Sequence, residues 1–339
     1  MKIMRCLIWS ILLCLLAGNL SGCAVFPWLE PQIQGPPPPD IFMGPPTLPE
    51  AIQAVNQNTT GVRQLQTESA TLTVPNLPGP SLRANLAFES PRHLSFRADI
   101  PLIGSHRVLD LGSNQDVFWM WTNDELLGMR IPNAPRSPVY YARHDEFARS
   151  IAGTILPFEP IRLVELIGLV SLDPDGQHEG PVPIGNDRLE IRSRIPTPQG
   201  DWTRTLRIHR RYGWVLEQHL VDAQGRYLAS AHTQDHRYYD QDGVSLPHRI
   251  RVQLAPGQPQ QFDFEINVTS YLVNQLLGDP THLWSVPQIE GHPLVNLLEQ
   301  QPEPKSPNLS SSQPNRQEAP VRDPRIGYRP DYRGLRELR

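Results

Sequence analysis

Residues 81–100 read SLRANLAFESPRHLSFRADI and contain two runs in which apolar and polar side chains alternate. The apolar positions of the two runs are Leu82, Ala84, Leu86 and Phe88, then Leu94, Phe96, Ala98 and Ile100. Strict alternation over this length is typical of a half-buried β-strand. Ser90-Pro91 lies between the runs and marks a turn. The stretch therefore predicts an antiparallel hairpin with one apolar face.

The same period-two pattern recurs on the C-terminal side of this hairpin. It is found in residues 108–112, 249–255 and 261–273, and glycines mark turns at Gly200, Gly213, Gly225 and Gly243. In residues 116–121, DVFWMW, apolar side chains occupy both odd and even positions, which predicts a strand covered on both faces. About eleven antiparallel strands are too many for a flat sheet. We therefore expect a mainly β (α+β) fold: one curved antiparallel sheet forming an unclosed barrel.

Three segments have helical character. Thr47 followed by Pro49 predicts the start of a short amphipathic helix. Residues 142–151 place Phe147 and Ile151 at helical spacing, and residues 157–170 are more apolar than a one-sided surface helix requires. The second and third segments interrupt the strands, so we expect them to cover the concave face of the sheet.

The N-terminus has the organisation of a secretory signal. Lys2 and Arg5 precede an apolar run that is too short to span a bilayer, for which about 20 apolar residues are needed. The run ends in Leu20, Ser21, Gly22 and Cys23, which resemble the lipobox of bacterial lipoproteins. That resemblance implies cleavage after residue 22 and a lipid-modified Cys23. The alternative is an ordinary signal peptide whose cysteine is incidental.

Lipidation would make the protein membrane-anchored, because two or more acyl chains hold stably in a bilayer. Ala24 follows the cysteine, where an Asp signals inner-membrane retention in proteobacterial lipoproteins. The resemblance therefore implies a periplasm-facing lipoprotein of the cell envelope, most consistent with the outer membrane.

Proline is concentrated at both ends of the chain. It accounts for 37 of the 339 residues, against an average usage of about 5%. Residues 23–46 read as an extended stalk and residues 289–339 as a disordered tail. The predicted organisation is a signal peptide at 1–22, the lipidated stalk at 23–46, one folded domain at 47–288 and the tail at 289–339.

Composition excludes several classes of function. The formal net charge is −4 and becomes more negative when the signal is removed, which argues against nucleic acid as a partner. Besides Lys2 the only lysine is Lys305, which disfavours Schiff-base and P-loop chemistry. Cys6 and Cys14 leave with the signal, so the mature chain has no intramolecular disulfide. We expect no cofactor other than the covalent lipid on Cys23.

No catalytic motif stands out. The chain has no Gly-x-Ser-x-Gly, His-Glu-x-x-His or Cys-x-x-Cys sequence and no glycine-rich phosphate loop. His144, Asp145 and Glu146 form the most reactive-looking cluster, but charged residues at a helix start explain them. A set of histidines on neighbouring strands could bind a metal, although neighbouring arginines would repel a cation: His209, His219, His232, His236 and His248. We expect neither an enzyme nor a metal site.

The order of these elements resembles the LolA/LolB lipoprotein-trafficking family of the bacterial envelope, over residues 48–277. The resemblance implies an unclosed antiparallel half-barrel with helices over an apolar cavity. In the membrane-anchored LolB branch an early hairpin tip carries a protruding apolar residue in a Pro-Leu-Gly-Ser context. Here the matching segment, residues 101–105, reads PLIGS. Leu102 takes that position, with Ile103 inserted beside it, so the resemblance implies that both face a membrane.

We call the apolar segment 157–170 the lid segment, or lid. Its apolar residues and those of the strands are the candidate cavity wall. They are Leu86, Phe88, Leu94, Phe96, Trp119, Trp121, Leu163, Leu166 and Ile167. The alternative is that they pack on one another as a filled core, and that Leu102 and Ile103 tuck under the lid. The sequence thus predicts an anchored lipoprotein that binds a lipid, acyl chain or lipoprotein, with a role in lipoprotein localisation. The other hypothesis is a tethered structural protein whose barrel is filled and whose ends contact envelope partners.

Overall fold

The computed structural model describes residues 35–75, 79–101, 106–126, 136–147, 159–197, 200–259 and 261–299. The helices are α1 (Leu48–Thr60), α2 (His144–Phe147), α3 (Arg162–Leu166) and α4 (Pro280–Leu283). The strands are β1 (Gln64–Thr73), β2 (Leu82–Glu89), β3 (His93–Ile100), β4 (His106–Ser113), β5 (Val117–Thr122), β6 (Val139–Arg143), β7 (His178–Ile184), β8 (Arg188–Ile195), β9 (Trp202–His209), β10 (Val215–Val221), β11 (Tyr227–Tyr239), β12 (Val244–Leu254), β13 (Phe262–Val268), β14 (Leu272–Val273) and β15 (Leu294–Asn296).

All fifteen strands belong to one sheet, in the order β15-β6-β5-β4-β3-β2-β1-β13-β12-β11-β10-β9-β8-β7, with β14 paired to β1. Neighbours are antiparallel except β15 and β6, which run parallel. Within the described residues β15 and β7 form the two ends of the path and do not pair, so the sheet stays open. The predicted fold class, a mainly β protein with one unclosed sheet, is confirmed.

The apolar positions of successive strands point to the same side of the sheet. We call this side the inner face. In antiparallel strands, residues directly opposite each other share a face. Leu82 is opposite Leu72, which is opposite Ile266 on β13. Continued through β12, β11 and β10, the register reaches Leu206 and Ile191 on the same face.

Two helices, α1 and α3, cover this inner face. α1 begins at Thr47, whose backbone N–H and hydroxyl both donate to Glu50 Oε2 at 2.7 and 2.8 Å. Its buried residues Ala51, Ile52 and Val55 pack in one cluster with the inner side chains of β8, β9 and β10. α3 packs in the larger cluster formed by the inner face of β1 to β4 and β11 to β14. Helices therefore cover one face of the sheet, as predicted.

The helix predicted over 157–170 is shorter than its apolar pattern. α3 has five residues, and the chain leaves it at Gly168, where φ is +102° and side-chain-bearing residues are strained. The apolar residues that follow, Leu169 and Val170, are buried as coil. Of the segment predicted as helix over 142–151, α2 covers His144–Phe147 and the residues from 148 onward lie outside the described part.

The folded region extends beyond both predicted boundaries. Residues 35–46 were expected in the stalk, but Arg211 O accepts hydrogen bonds from Ile41 and Phe42, and Asp40 pairs with the Arg211 guanidinium. Residues 289–299 were expected in the tail, but they carry β15 and the buried Leu297. These segments fold because their few apolar side chains fill sites on the sheet. The predicted signal peptide, Cys23 and the tail beyond residue 299 lie outside the described residues.

Candidate functional site

The candidate site is the inner face beneath α3. Seven of the nine predicted cavity residues meet there in one apolar cluster, each at most 7% exposed. They are Leu86, Phe88, Leu94, Phe96, Leu163, Leu166 and Ile167. Four come from the hairpin that sequence alternation predicts, and three come from α3 and the residue after it. In this conformation α3 lies directly on the apolar wall, and its side chains bury those of the sheet.

Trp119 and Trp121 do not join this cluster. Trp119 is opposite Gly112, and Trp121 is opposite Asp110, on the parity that points away from the inner face. Both indoles pack with Val139, and residues 286 and 289 cover them from the C-terminal segment. The prediction that they line the same cavity is wrong, because strand alternation places them on the outer face. The prediction that β5 is covered on both faces agrees with the burial of Phe118 and Trp119, each 0% exposed.

A buried carboxylate holds the outer tryptophan in place. Trp119 Nε1 donates to Asp110 Oδ1 at 2.9 Å, and Arg107 Nη1 donates to Asp110 Oδ2 at 3.1 Å. Burial raises the pKa of the Asp110 carboxyl, while the Trp119 hydrogen bond and the charge of Arg97 oppose that shift. The cluster is a structural support for β4 and β5, remote from the inner face.

The lid segment is tied to the rest of the protein at its C-terminal end. Asn56 of α1 bonds Leu172 twice: Nδ2 donates to the Leu172 carbonyl, and Oδ1 accepts from the Leu172 N–H, each at 2.7 Å. Thr59 Oγ1 donates to Val170 O at 2.5 Å. These bonds hold residues 170–172 on α1.

A histidine–glutamate pair holds the N-terminal side of the lid segment. His144 is 5% exposed; its Nδ1 lies 3.0 Å from Glu159 Oε2 and its Nε2 lies 2.9 Å from Asn114 O. Both partners are acceptors, so both ring nitrogens can donate only when the imidazole is protonated. The Glu159 hydrogen bond raises the pKa of His144, against the effect of burial. Within the cluster that looked reactive in the sequence, the His144 ring therefore links Glu159 to the Asn114 carbonyl.

Polar groups also hold the middle of the lid. Glu165 on α3 pairs with the Arg204 guanidinium on β9, whose side chain is 6% exposed. Gln218 Nε2 on β10 donates to Glu165 O at 2.5 Å. Sequence reasoning missed Arg204 and Gln218, although a signal was present: both occupy inward parity positions where alternation calls for apolar residues.

The remaining predicted sites are placed as follows. Leu102 and Ile103 lie outside the described residues; their flanks end β3 at Ile100 and begin β4 at His106. Among the residues that the structure describes, no group of three or more His, Cys, Asp or Glu is arranged to hold a metal ion. No helix of the described part is long and apolar enough to cross a bilayer.

Two surface grooves lie outside the apolar cluster beneath α3. One, of about 510 Å³, runs between α1 and residues 174–178, and the other, of about 290 Å³, lies between residues 42–44 and the β9–β10 hairpin. The larger groove is lined by amide side chains together with Leu48, Pro49 and Ile52. Neither groove includes a predicted cavity residue.

Comparison with known proteins found no matching family model and no matching curated protein. Similar solved structures include a domain from Vibrio parahaemolyticus described as an outer membrane lipoprotein-sorting protein, with 9% identity and a TM-score of 0.44, covering 68% of this chain and 95% of that one. A LolA-superfamily protein from Nitrosomonas europaea has 9% identity and a TM-score of 0.39, covering 69% of this chain and 97% of that one. A DUF1329-family protein from Desulfovibrio piger has 10% identity and a TM-score of 0.37, covering 69% and 97%.

Proposed function

We propose that this chain is an envelope lipoprotein, anchored through Cys23, that binds the apolar part of a lipid, an acyl chain or a lipoprotein on its inner face, with a role in lipoprotein localisation. The observation that carries the proposal is the apolar inner face itself. It continues from β4 across to β11, and over part of it the cover is a helix of only five residues. The proposal assigns no catalysis and no cofactor beyond the covalent lipid.

The energetics constrain how a ligand would bind. Exposing the five buried apolar side chains at 163–169 to water would cost about 10 kcal/mol, at about 2 kcal/mol each. An acyl chain of about sixteen carbons gains about 13 kcal/mol on leaving water, but almost nothing on leaving a bilayer. A ligand taken from a membrane therefore cannot expel α3 into water. The lid must instead swing about its ties to α1 and repack on the ligand.

The placement of the chain ends is compatible with contact between the 101–105 loop and the anchoring membrane. Residues 40–42 join the domain at the β9–β10 hairpin, at the opposite end of the sheet from the β3–β4 loop. The twelve residues from Cys23 to residue 34 reach at most about 40 Å, and an eight-residue strand spans about 26 Å. The reach of the linker thus exceeds the length of one strand, which supports the proposal that Leu102 and Ile103 face the membrane that holds the anchor.

The test is to identify ligand bound to the full-length chain purified from bacterial envelopes, by native mass spectrometry. We expect an added lipid mass that is lost when the protein is denatured, which distinguishes the bound ligand from the covalent lipid on Cys23. We also expect faster ligand exchange in a Leu163→Ala, Leu166→Ala variant whose lid packs less tightly. A Leu189→Ala, Leu206→Ala variant provides the matched control, because it removes two buried leucines from the α1 cluster. A clean apo mass, under conditions in which a known lipid-binding protein keeps its ligand, would overturn the proposal.

One observation favours a second candidate, a tethered structural protein of the envelope. The four apolar side chains of the sheet and the three of the α3 segment bury one another, as a filled core does. In that case the ends of the chain would contact protein partners. Deleting residues 301–339 separates the two functions: loss of captured envelope proteins with no ligand found in the intact chain would support the structural role.

A further inference from the structure

The inner face carries one buried cation at the place where α3 meets it. Arg204 on β9 is opposite Ser193 on β8 and Leu220 on β10, and strand parity directs it inward. Its side chain is 6% exposed, and its guanidinium pairs with Glu165 of α3, which is 24% exposed. Glu165 is also paired with Arg162 beside it on the helix.

This ion pair joins the lid to the wall, so lid movement would break it. A buried guanidinium that loses its carboxylate is left with an uncompensated charge, which is strongly unfavourable. Gln218 lies on the neighbouring strand and donates to the Glu165 backbone carbonyl, so that amide donor would be released at the same time. An opened lid therefore leaves a guanidinium and an amide, both hydrogen-bond donors, beside an apolar surface.

We propose that the ligand is an anionic amphiphile, whose carboxylate or phosphate head takes the place of Glu165 on Arg204 while its apolar tail lies on the inner face. This inference rests on the proposed function and adds the chemical class of the head group. Arginine suits the role because its planar fork binds carboxylate and phosphate in two parallel hydrogen bonds. Its position suits it as well: β9 begins at Trp202, so Arg204 lies about 7 Å from that end of the strand. The head can remain near the rim while the tail reaches the interior.

The experiment compares two probes with the same chain and different heads, oleate and oleyl alcohol, by equilibrium dialysis against the full-length protein. We expect oleate to bind at least about tenfold more tightly, the lower range for a charge-assisted hydrogen bond. Arg204→Met should remove this preference by weakening oleate alone. Arg207→Met is the matched control: it removes the same charge from the same strand, but Arg207 pairs with Glu190 and Glu217 on the outer face.

A second variant separates the proposed role from a purely structural one. Glu165→Gln removes the carboxylate that competes for Arg204 and should raise the affinity for oleate severalfold. If Arg204 and Glu165 only stabilised the lid, both variants would change the two probes equally. Inorganic phosphate at millimolar concentration should not displace oleate, since it lacks the tail; displacement would show a site for free anions and overturn the assignment.

The failure of this inference is distinguishable from the failure of the proposed function. Equal binding of oleate and oleyl alcohol, unchanged in Arg204→Met, would overturn the head-group assignment and leave an apolar binding site in place. Binding of neither probe would overturn both.

Discussion

Replacement of Gly112 by alanine should destabilise this protein, although alanine normally suits a strand better than glycine does. A Cβ at Gly112 would lie 2.0 Å from Trp119 Cζ2 and 2.3 Å from Cε2, far inside van der Waals contact. The indole has little room to withdraw, because Trp119 is 0% exposed and its Nε1 donates to Asp110 at 2.9 Å. The substitution must therefore displace the ring and weaken that hydrogen bond.

The magnitude follows from these contacts. Overpacking a filled core costs about 1–3 kcal/mol, and losing a hydrogen bond to a buried carboxylate costs about 1.5–3 kcal/mol. The intrinsic gain of alanine over glycine in a strand offsets about 0.5–1 kcal/mol of this loss. We expect Gly112→Ala to lower the free energy of unfolding by about 2–5 kcal/mol.

The assay is urea unfolding followed by far-ultraviolet circular dichroism rather than by tryptophan fluorescence, because the variants alter the surroundings of Trp119. Gly44→Ala is the control, since no atom lies within 4 Å of a Cβ built there, and its stability should stay within about 0.5 kcal/mol of the parent chain. Combining Gly112→Ala with Trp119→Leu relieves the clash, so the double variant should lose less stability than the two single losses added together. A Gly112→Ala protein as stable as its parent, or strict additivity in the double variant, would refute the reasoning.

The remaining predictions concern the lid ties and two buried histidines. Asn56→Ala removes both bonds to Leu172 and should lower the free energy of unfolding in urea by about 2–4 kcal/mol. It should also raise amide hydrogen exchange in α3. Unchanged exchange there would contradict the proposal that these bonds hold the lid segment on α1. Burial lowers the pKa of His236 from 6.5 to about 3, so the unfolded chain binds the extra proton and stability should fall as pH drops from 6.5 towards 3; the pH dependence of unfolding should be flatter in His236→Phe. The Glu159 bond raises the pKa of His144 above 6.5, so the contribution of this pair to folding stability is complete below pH 6.5 and is lost as pH rises through the folded-state pKa. An NMR titration that gives His144 a pKa below 6.5 would contradict the His144–Glu159 pair.

The hairpin at 81–100 was predictable because its information is local. Alternation of side chains sets which parity faces the core, and strand pairing then carries that choice across the sheet. The start of α1 was predictable for a similar reason, since Thr47, Pro49 and Glu50 act within one helical turn. Seven cavity candidates lie in one cluster because four of them share the inner face of the sheet and three belong to the apolar segment that covers that face.

Some predictions failed because alternation along a strand does not show which face of the sheet a residue lies on. That face depends on how the strand pairs with its neighbours. Trp119 and Trp121 are apolar and lie in a strand, but their face depends on pairing with Gly112 and Asp110. Arg204 was overlooked because a single charged residue in a strand looks like a surface residue until its partner on α3 is known. The boundaries at 46 and 288 were misplaced because proline-rich composition resembles an extended chain even where a few side chains dock on the sheet.

The amino-acid sequence by itself determined a mainly β chain with one apolar sheet face, a helix starting at Thr47, and an apolar segment able to cover that face, because periodicity and capping act over a few residues. Only the tertiary structure decided that α3 lies directly on this face, that Glu165 of α3 meets Arg204 of β9, and that residues 289–299 continue the sheet. Those outcomes depend on contacts between residues far apart in the chain, and no local pattern encodes which distant side chain will be the partner.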